Sequence, residues 1–205
     1  MGNISEIRTT AVVLAAGAGT RLGKGPKALL PYRGRPLVES IAGALLDGGC
    51  REVVVVLGAG APDVTAIAKL DRYRTVVNKD WQSGMGSSFL RGNAAADPGD
   101  HLLVALVDQP GLTLRTVGRL LAAHRPGRIT AAAYRDGGGD GGTLRRGHPL
   151  LIDVELREAV AGTVTGDAGA RGFLLAHPGL VDEVDCSDQS TGQDVDTPEQ
   201  LHLLR

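Results

Sequence analysis

The chain has 205 residues, 42% of them hydrophobic and 22% charged, with a formal net charge of −1. That length suits one domain with a sizeable core, and the near-neutral charge argues against nucleic acid as the main partner. No apolar run reaches the roughly 18 residues of a spanning helix, and the start, MGNISEIRTT, lacks the basic and apolar regions of a leader peptide.

Four short, nearly continuous Val/Leu runs come first: TAVVLAA (10–16), EVVVVLG (52–58), YRTVVN (73–78) and HLLVALVD (101–108). This is the pattern of strands covered on both faces. Amphipathic segments between them predict helices near 36–48, 61–70, 84–96 and 112–124. DGG at 47–49 closes the first, and Ser87 and Ser88 stand near the start of the third. The βαβα rhythm predicts an α/β, Rossmann-like three-layer fold with a mostly parallel central sheet. Beyond Pro126 the rhythm loosens. RITAAAY (128–134) reads as a strand, and RDGGGDGGTLRRGHP (135–149), with five glycines among 137–142, reads as a flexible loop, either a linker or a flap beside a site. PLLI predicts a strand, 153–160 and 168–176 helices, LVDEVD a strand, and Pro198 the start of a last helix. Cys50 and Cys186 match no metal or redox spacing and read as buried thiols of a cytoplasmic protein.

In open parallel sheets, ligands bind beyond the carboxyl ends of the strands. The first run leads into AAGAGTR, the third ends at Asn78, and the fourth ends at Asp108 followed by QP. GAGTRLG (17–23) departs from the dinucleotide fingerprint, since its third glycine comes four residues after the second, and it lacks the Lys-Ser/Thr ending of a P-loop. Its glycines let backbone N–H groups approach an anion, and Arg21 and Lys27 can neutralise a triphosphate. The bland alternative is a strand-to-helix turn with solvated basic residues. Asp108, at an exposed strand end, either holds Mg²⁺ through oxygen ligation or forms a turn. In DVDTPEQL (194–201), Thr197 or Asp196 can cap a helix with Pro198 at its first position. Capping leaves unexplained why Asp194 and Asp196 share one side of an extended segment.

Six stretches, in order, carry a resemblance: LAAGAGTRLGKGPKALL, NKDWQSGMGSSFLRG, VDQP, RRGHPLLI, GDAGARGFL and DVDTPEQL. Together they resemble the molybdenum cofactor cytidylyltransferase-like (MocA/MobA-type) nucleotidyltransferases, from about Val12 to Leu204. The resemblance implies a single nucleotidyltransferase domain over 1–205, with a nucleotide-binding half at about 10–125 and an acceptor-binding half at about 126–205. It implies transfer of CMP from CTP to the terminal phosphate of molybdopterin, with release of pyrophosphate. The alternatives are a GTP-using guanylyltransferase, another small phosphate acceptor, or a non-catalytic nucleotide- or cofactor-binding chaperone. Leu14, Ala15, Ala16, Gly17, Gly19 and Arg21 would line the nucleotide, Lys27 its phosphates, and Asn78, Gly84 and Ser88 the base and ribose. Arg21, Lys27 and Asp108 would be catalytic, and Asp108 with Asp196, or else Asp194, would hold Mg²⁺. Gln109, Pro110, Gly147, His148, Asp167 and Arg171 would build the acceptor side, with Trp81 and Tyr134 available to stack on a pterin. His148 would bind the pterin phosphate or support its loop. The implied partners are CTP or another NTP, the molybdopterin-type acceptor and a molybdoenzyme receiving the product, with neither nucleic acid nor membrane.

The chemistry agrees with the inventory. An acceptor phosphate is already an anion, so positioning and charge neutralisation suffice and no Ser-His-Asp arrangement is needed. PKALL sets Lys27 where regular structure resumes, whereas Lys24 lies between two glycines. LAAG, where guanylyl-transferring relatives typically read LAGG, places a methyl at Ala16 that narrows the base slot toward a pyrimidine.

Overall fold

In the computed structural model, residues 8–136 and 142–205 are described; the start of the chain and the centre of the glycine-rich run, read above as flap or linker, lie outside the described residues. The elements in chain order are β1 (Thr9–Ala15), a hairpin of β2 (Pro31–Tyr32) and β3 (Arg35–Pro36), α1 (Leu37–Asp47), β4 (Glu52–Leu57), α2 (Ala61–Ile67) and β5 (Arg74–Val77). They continue with α3 (Met85–Ala95), β6 (His101–Leu106), α4 (Leu114–Ala123), β7 (Ile129–Arg135), β8 (Leu144–Ile152), α5 (Arg157–Ala161), α6 (Arg171–Ala176) and β9 (Val181–Asp185).

Among the described residues, seven strands form one sheet in the order β5-β4-β1-β6-β8-β7-β9. β5, β4, β1 and β6 run parallel, as does the β7/β9 pair, while β8 is antiparallel to both of its neighbours. The Val-rich runs are central because each feeds both faces. Val12, Leu14, Val54, Val56 and Val104 pack with Phe89 of α3 on one side. Ala11, Val13, Val53, Val55 and Leu103 pack with Leu37, Ile41 and Leu45 of α1 on the other. Burying each such Leu, Ile or Val contributes about 1.5–3 kcal/mol.

Three expectations are corrected. Residues 144–149 are strand rather than loop: Leu144, Arg145 and Arg146 pair with Arg135, Tyr134 and Ala133. Backbone pairing with a buried partner strand, not side-chain hydrophobicity, holds this polar segment. The region 153–160 divides into a 3₁₀ turn at Val154–Leu156 and α5, with Asp153 accepting from the Glu155 amide ahead of the turn. The last element, Pro198–Leu204, is a 3₁₀ helix whose Thr197 and Gln200 form a capping box.

Gly92 of α3 faces β1, and a Cβ there would overlap Val12 Cγ1 and come within 3.1 Å of Val56 Cγ2. Both neighbours are β-branched core residues that cannot turn aside. Gly92→Ala is expected to destabilise by about 1–3 kcal/mol and lower Tm by about 2–12 °C. Gly118→Ala in α4 meets no atom nearer than 3.7 Å and is expected to leave Tm unchanged or raise it. Thermal melts of the two variants check this.

Candidate active site

At the carboxyl ends of β1 and β6 lies a cavity of about 400 Å³. The Ala59 amide donates to the Ala16 carbonyl at 3.0 Å, fixing where the chain leaves the sheet. Gly19, at φ +64°, sits against the Gly25 carbonyl with no room for a side chain. The Leu22 and Gly23 amides donate back to the Gly19 carbonyl at 3.1 and 3.2 Å, so the loop folds on itself. It re-enters regular structure in a 3₁₀ turn at Lys27–Leu29.

That turn aims Lys27 into the cavity. Its Nζ donates to Asp108 Oδ2 at 2.7 Å and to Asp196 Oδ1, and Arg21 lies 3.7 Å from Asp196 Oδ2. Lys24 is exposed and makes no ion pair among the described residues. The C-terminal segment is registered by the Val195 amide, which donates to the Asp108 carbonyl at 2.8 Å. Val195 is buried in the core, so alternation along the extended segment turns Asp194 and Asp196 toward the cavity. Gln109 Nε2 donates to Asp194 Oδ1 at 2.7 Å.

The charges are unequal in their settings. Burial works against the Lys27 ammonium, but Asp108 and Asp196 outweigh it and hold its pKa above the ordinary lysine value. The Lys27 hydrogen bond holds Asp196 below the usual carboxylate range. Burial, then the Asp108 charge, pushes Asp194 above it. Asp108 is not at an exposed strand end as expected: its side chain is 19% exposed, and its Oδ1 is buried with no hydrogen-bond partner. An unsatisfied carboxylate oxygen beside two further carboxylates fits a hard divalent cation with oxygen ligands.

A second cavity, of about 340 Å³, adjoins the first across Leu14 and Met85. Phe89, Val104, Leu150 and Leu174 make its walls apolar, with Arg146, Gly147, His148 and Arg171 also lining it. Burial pushes the His148 imidazole down to about 4, so it is neutral near pH 7. A neutral ring can meet a phosphate only through a hydrogen bond, so the positive charge in this cavity comes from Arg146 and Arg171. The two cavities meet because the Gly166–Asp167 turn lies on Gly84, where a Cβ would clash. Asp167 Oδ1 accepts from the Met85 amide at 3.1 Å.

The structure thus gathers Leu14, Ala16, Gly17, Arg21, Lys27, Gly84, Ser88, Asp108, Asp167, Asp194 and Asp196 around one cavity, and Gly147, His148 and Arg171 around its neighbour. Others lie elsewhere. Ala15 is in the core, and Gly19 serves the turn. Asn78 is buried, with Nδ2 donating to Ser87 and Ser88 Oγ at 2.8 and 3.0 Å and Oδ1 accepting from the Asp80 amide. It braces the start of α3 and does not line the cavity. Gln109 and Pro110 are buried, and the Gln109 amide is committed to Asp194 and the Gly192 carbonyl. Tyr134 is buried against Gly147 and Gly192 with its hydroxyl donating to the His148 carbonyl at 2.8 Å, so it is closed to stacking. Trp81 does line the first cavity. Sequence reasoning missed Met85, Phe89 and Arg146 as lining residues, although the first two stand in GMGSSF and the third in RRGHP.

A family model described as the MobA-like NTP transferase domain matches residues 11–181. The chain is 63% identical, over all of both chains, to Nicotine blue oxidoreductase of Paenarthrobacter nicotinovorans. It is 31% identical to the molybdenum cofactor guanylyltransferase of Xanthomonas euvesicatoria, covering 95% of this chain and 93% of that one. Among solved structures, a nucleotidyl transferase from Methanothermobacter superposes with a TM-score of 0.80 at 26% identity, covering 97% and 98% of the two chains. A manganese complex of Rv0371C from Mycobacterium tuberculosis superposes at 0.78 with 27% identity, covering 96% and 98%.

Lys27→Ala is expected to weaken nucleoside triphosphate binding by about 10–100-fold, the worth of a charge-assisted hydrogen bond. Lys24→Ala, with its ammonium in solvent, should change it by less than about threefold. Calorimetric titration of both variants checks the pair. Since Asp194 lies above the ordinary carboxyl pKa and Asp196 below it, acidification should protonate Asp194 first. An NMR titration of the side-chain carboxyls in which Asp196 titrates at the higher pH would contradict this electrostatic picture.

Proposed function

The chain belongs to the MobA-like NTP transferase family, and we propose that this nucleotidyltransferase moves CMP from CTP to the terminal phosphate of a molybdopterin-type acceptor. The observation that carries this reading is the convergence of Lys27 and Arg21 with Asp108, Asp194 and Asp196 around one cavity. Residues 10–125 would hold the nucleotide and 126–205 the acceptor. The two unpaired, buried thiols, Cys50 and Cys186, agree with a cytoplasmic setting.

In this reading the triphosphate enters beneath the Gly17–Lys27 loop, and its charge draws Lys27 from the carboxylates onto the phosphates, with Arg21 beside it. Mg²⁺, held by Asp108 with Asp196 or Asp194, would withdraw charge from the phosphoryl group being transferred. Arg171 orients the acceptor phosphate, whose body occupies the apolar cavity. An acceptor phosphate oxygen forms the new bond to the α-phosphorus as the bond to pyrophosphate breaks. No proton needs removal, so the neutral His148 has no acid–base part. The outgoing product would pass to a molybdoenzyme.

Ala16 is the support for cytidine. Ala16 lines the cavity, and its Cβ lies so near Gly58 that an added Cβ there would come within 2.7 Å of it. CTP is expected to exceed GTP in kcat/KM, and Ala16→Gly to move the ratio toward GTP by about tenfold. Asp108→Asn should lower turnover by about 10²-fold or more. Pyrophosphate release with CTP, GTP and molybdopterin measures each; wild-type preference for GTP would place the chain with the guanylyl-transferring relatives.

One observation favours a second reading. The 63% identity to Nicotine blue oxidoreductase spans both chains end to end. The same cleft would then hold a nucleotide-borne hydride donor such as NADH or NADPH, and the apolar cavity a planar pigment accepting the hydride. Anaerobic bleaching of nicotine blue by NADH or NADPH, run beside the pyrophosphate assay on one preparation, separates the two. Bleaching without pyrophosphate release supports oxidoreduction and displaces nucleotidyl transfer; the reverse result removes the second reading.

A further inference from the structure

At the sheet edge opposite the cleft, three side chains outside the reaction converge. His101 opens β6, His124 follows the last turn of α4, and Asp153 follows β8. Asp153 Oδ2 lies 3.4 Å from His101 Nδ1 and 3.4 Å from His124 Nε2. All three ligand atoms fall within 4.8 Å of one another. His124 and Asp153 are 2% and 3% exposed, whereas His101 is 20% exposed.

The facing atoms are unequally engaged in hydrogen bonds. His101 Nδ1 accepts from the Val154 amide at 3.0 Å, so that nitrogen carries no proton. His124 Nδ1 lies 2.9 Å from Thr130 Oγ1, while its Nε2 is buried with no hydrogen-bond partner. The Asp153 carboxylate is buried, and its only ion-pair contacts among the described residues are these two imidazoles. A buried carboxylate without a countercharge is strongly unfavourable.

We propose that His101, His124 and Asp153 form a zinc-class metal site outside the cleft, with water completing the shell from the exposed side of His101. Tetrahedral zinc with nitrogen and oxygen bonds of about 2.0–2.1 Å sets its ligand atoms about 3.3–3.4 Å apart. Two of the three ligand edges already have that length. Thr130 acts as a positioning residue: with Nδ1–H of His124 donating to it, the Nε2 lone pair turns to the metal. His101 Nδ1 moves off the Val154 amide to ligate. The ion ties the end of α4 to the start of β6 and the end of β8. Seven residues of extended chain, roughly 20 Å, separate His101 from Asp108, so this site is independent of any cation in the cleft.

The test is metal titration of the chelator-stripped full chain, with zinc for stoichiometry and stabilisation and cobalt as a spectroscopic probe of tetrahedral geometry. An Asp108→Asn, Asp194→Asn, Asp196→Asn background strips the cleft of these three carboxylates. One equivalent of zinc, a rise in Tm and a tetrahedral cobalt spectrum are expected there. His101→Gln, which alters the most exposed ligand, should abolish the cobalt signal. Thr130→Val, nearly isosteric, should weaken zinc by about 10–100-fold. Absence of zinc binding in this triple background overturns the proposal, as does unchanged binding in His101→Gln. If His101→Gln does not fold by circular dichroism, Thr130→Val decides alone, and zinc affinity equal to wild type overturns the assignment.

Discussion

The Lys27 ammonium held between Asp108 and Asp196 is the contact that organises the molecule's chemistry. It joins segments 81 and 169 residues away from Lys27 in sequence, and each segment reaches it by a different device. The first is turned back by the Gly19 turn, the second is delivered by the end of β6, and the third is registered on the Asp108 carbonyl by the Val195 amide. Three carboxylates crowding one partly buried cavity would repel one another without that cation. The same crowding makes the arrangement receptive to a polyanion carrying its own metal, because a phosphate chain can take over Lys27 while the metal takes over the carboxylates.

Beside this polar centre lies a cavity of opposite character. Leu14 and Met85 belong to both, so a bound nucleotide and a second substrate would meet across two apolar side chains rather than across water. The second cavity has apolar walls, two arginines, Arg146 and Arg171, and a neutral histidine. Such a lining suits a largely apolar or planar body that bears anionic charge.

The strand-end residues were legible in the sequence because a parallel sheet presents them together. Asp108 and the Gly17–Lys27 loop could be placed at one edge from periodicity and spacing, whereas the DVD pair was set beside them by the family resemblance. Asn78, Gln109 and Tyr134 could not be sorted by the same means. Each stands in a motif rich in site residues, yet each directs its polar group inward, to Ser87 and Ser88, to Asp194, and to the His148 carbonyl respectively. A polar side chain beside a site reads identically whether it touches a ligand or braces a residue that does. Met85 and Phe89 failed in the opposite sense, since apolar residues at helical spacing read as core although here they also line a cavity.

By itself the sequence determined the alternation of strands and helices, the parallel half of the sheet, and the glycine-rich loop that sets Arg21 and Lys27 at a strand end. These follow from local periodicity, from glycine's conformational freedom and from charge, all carried by neighbouring residues. The tertiary structure alone decided that residues 144–149 are strand, that Lys27 bridges Asp108 and Asp196, and that His101, His124 and Asp153 share one point. Those outcomes depend on contacts between distant segments, where backbone pairing and burial outweigh local preference.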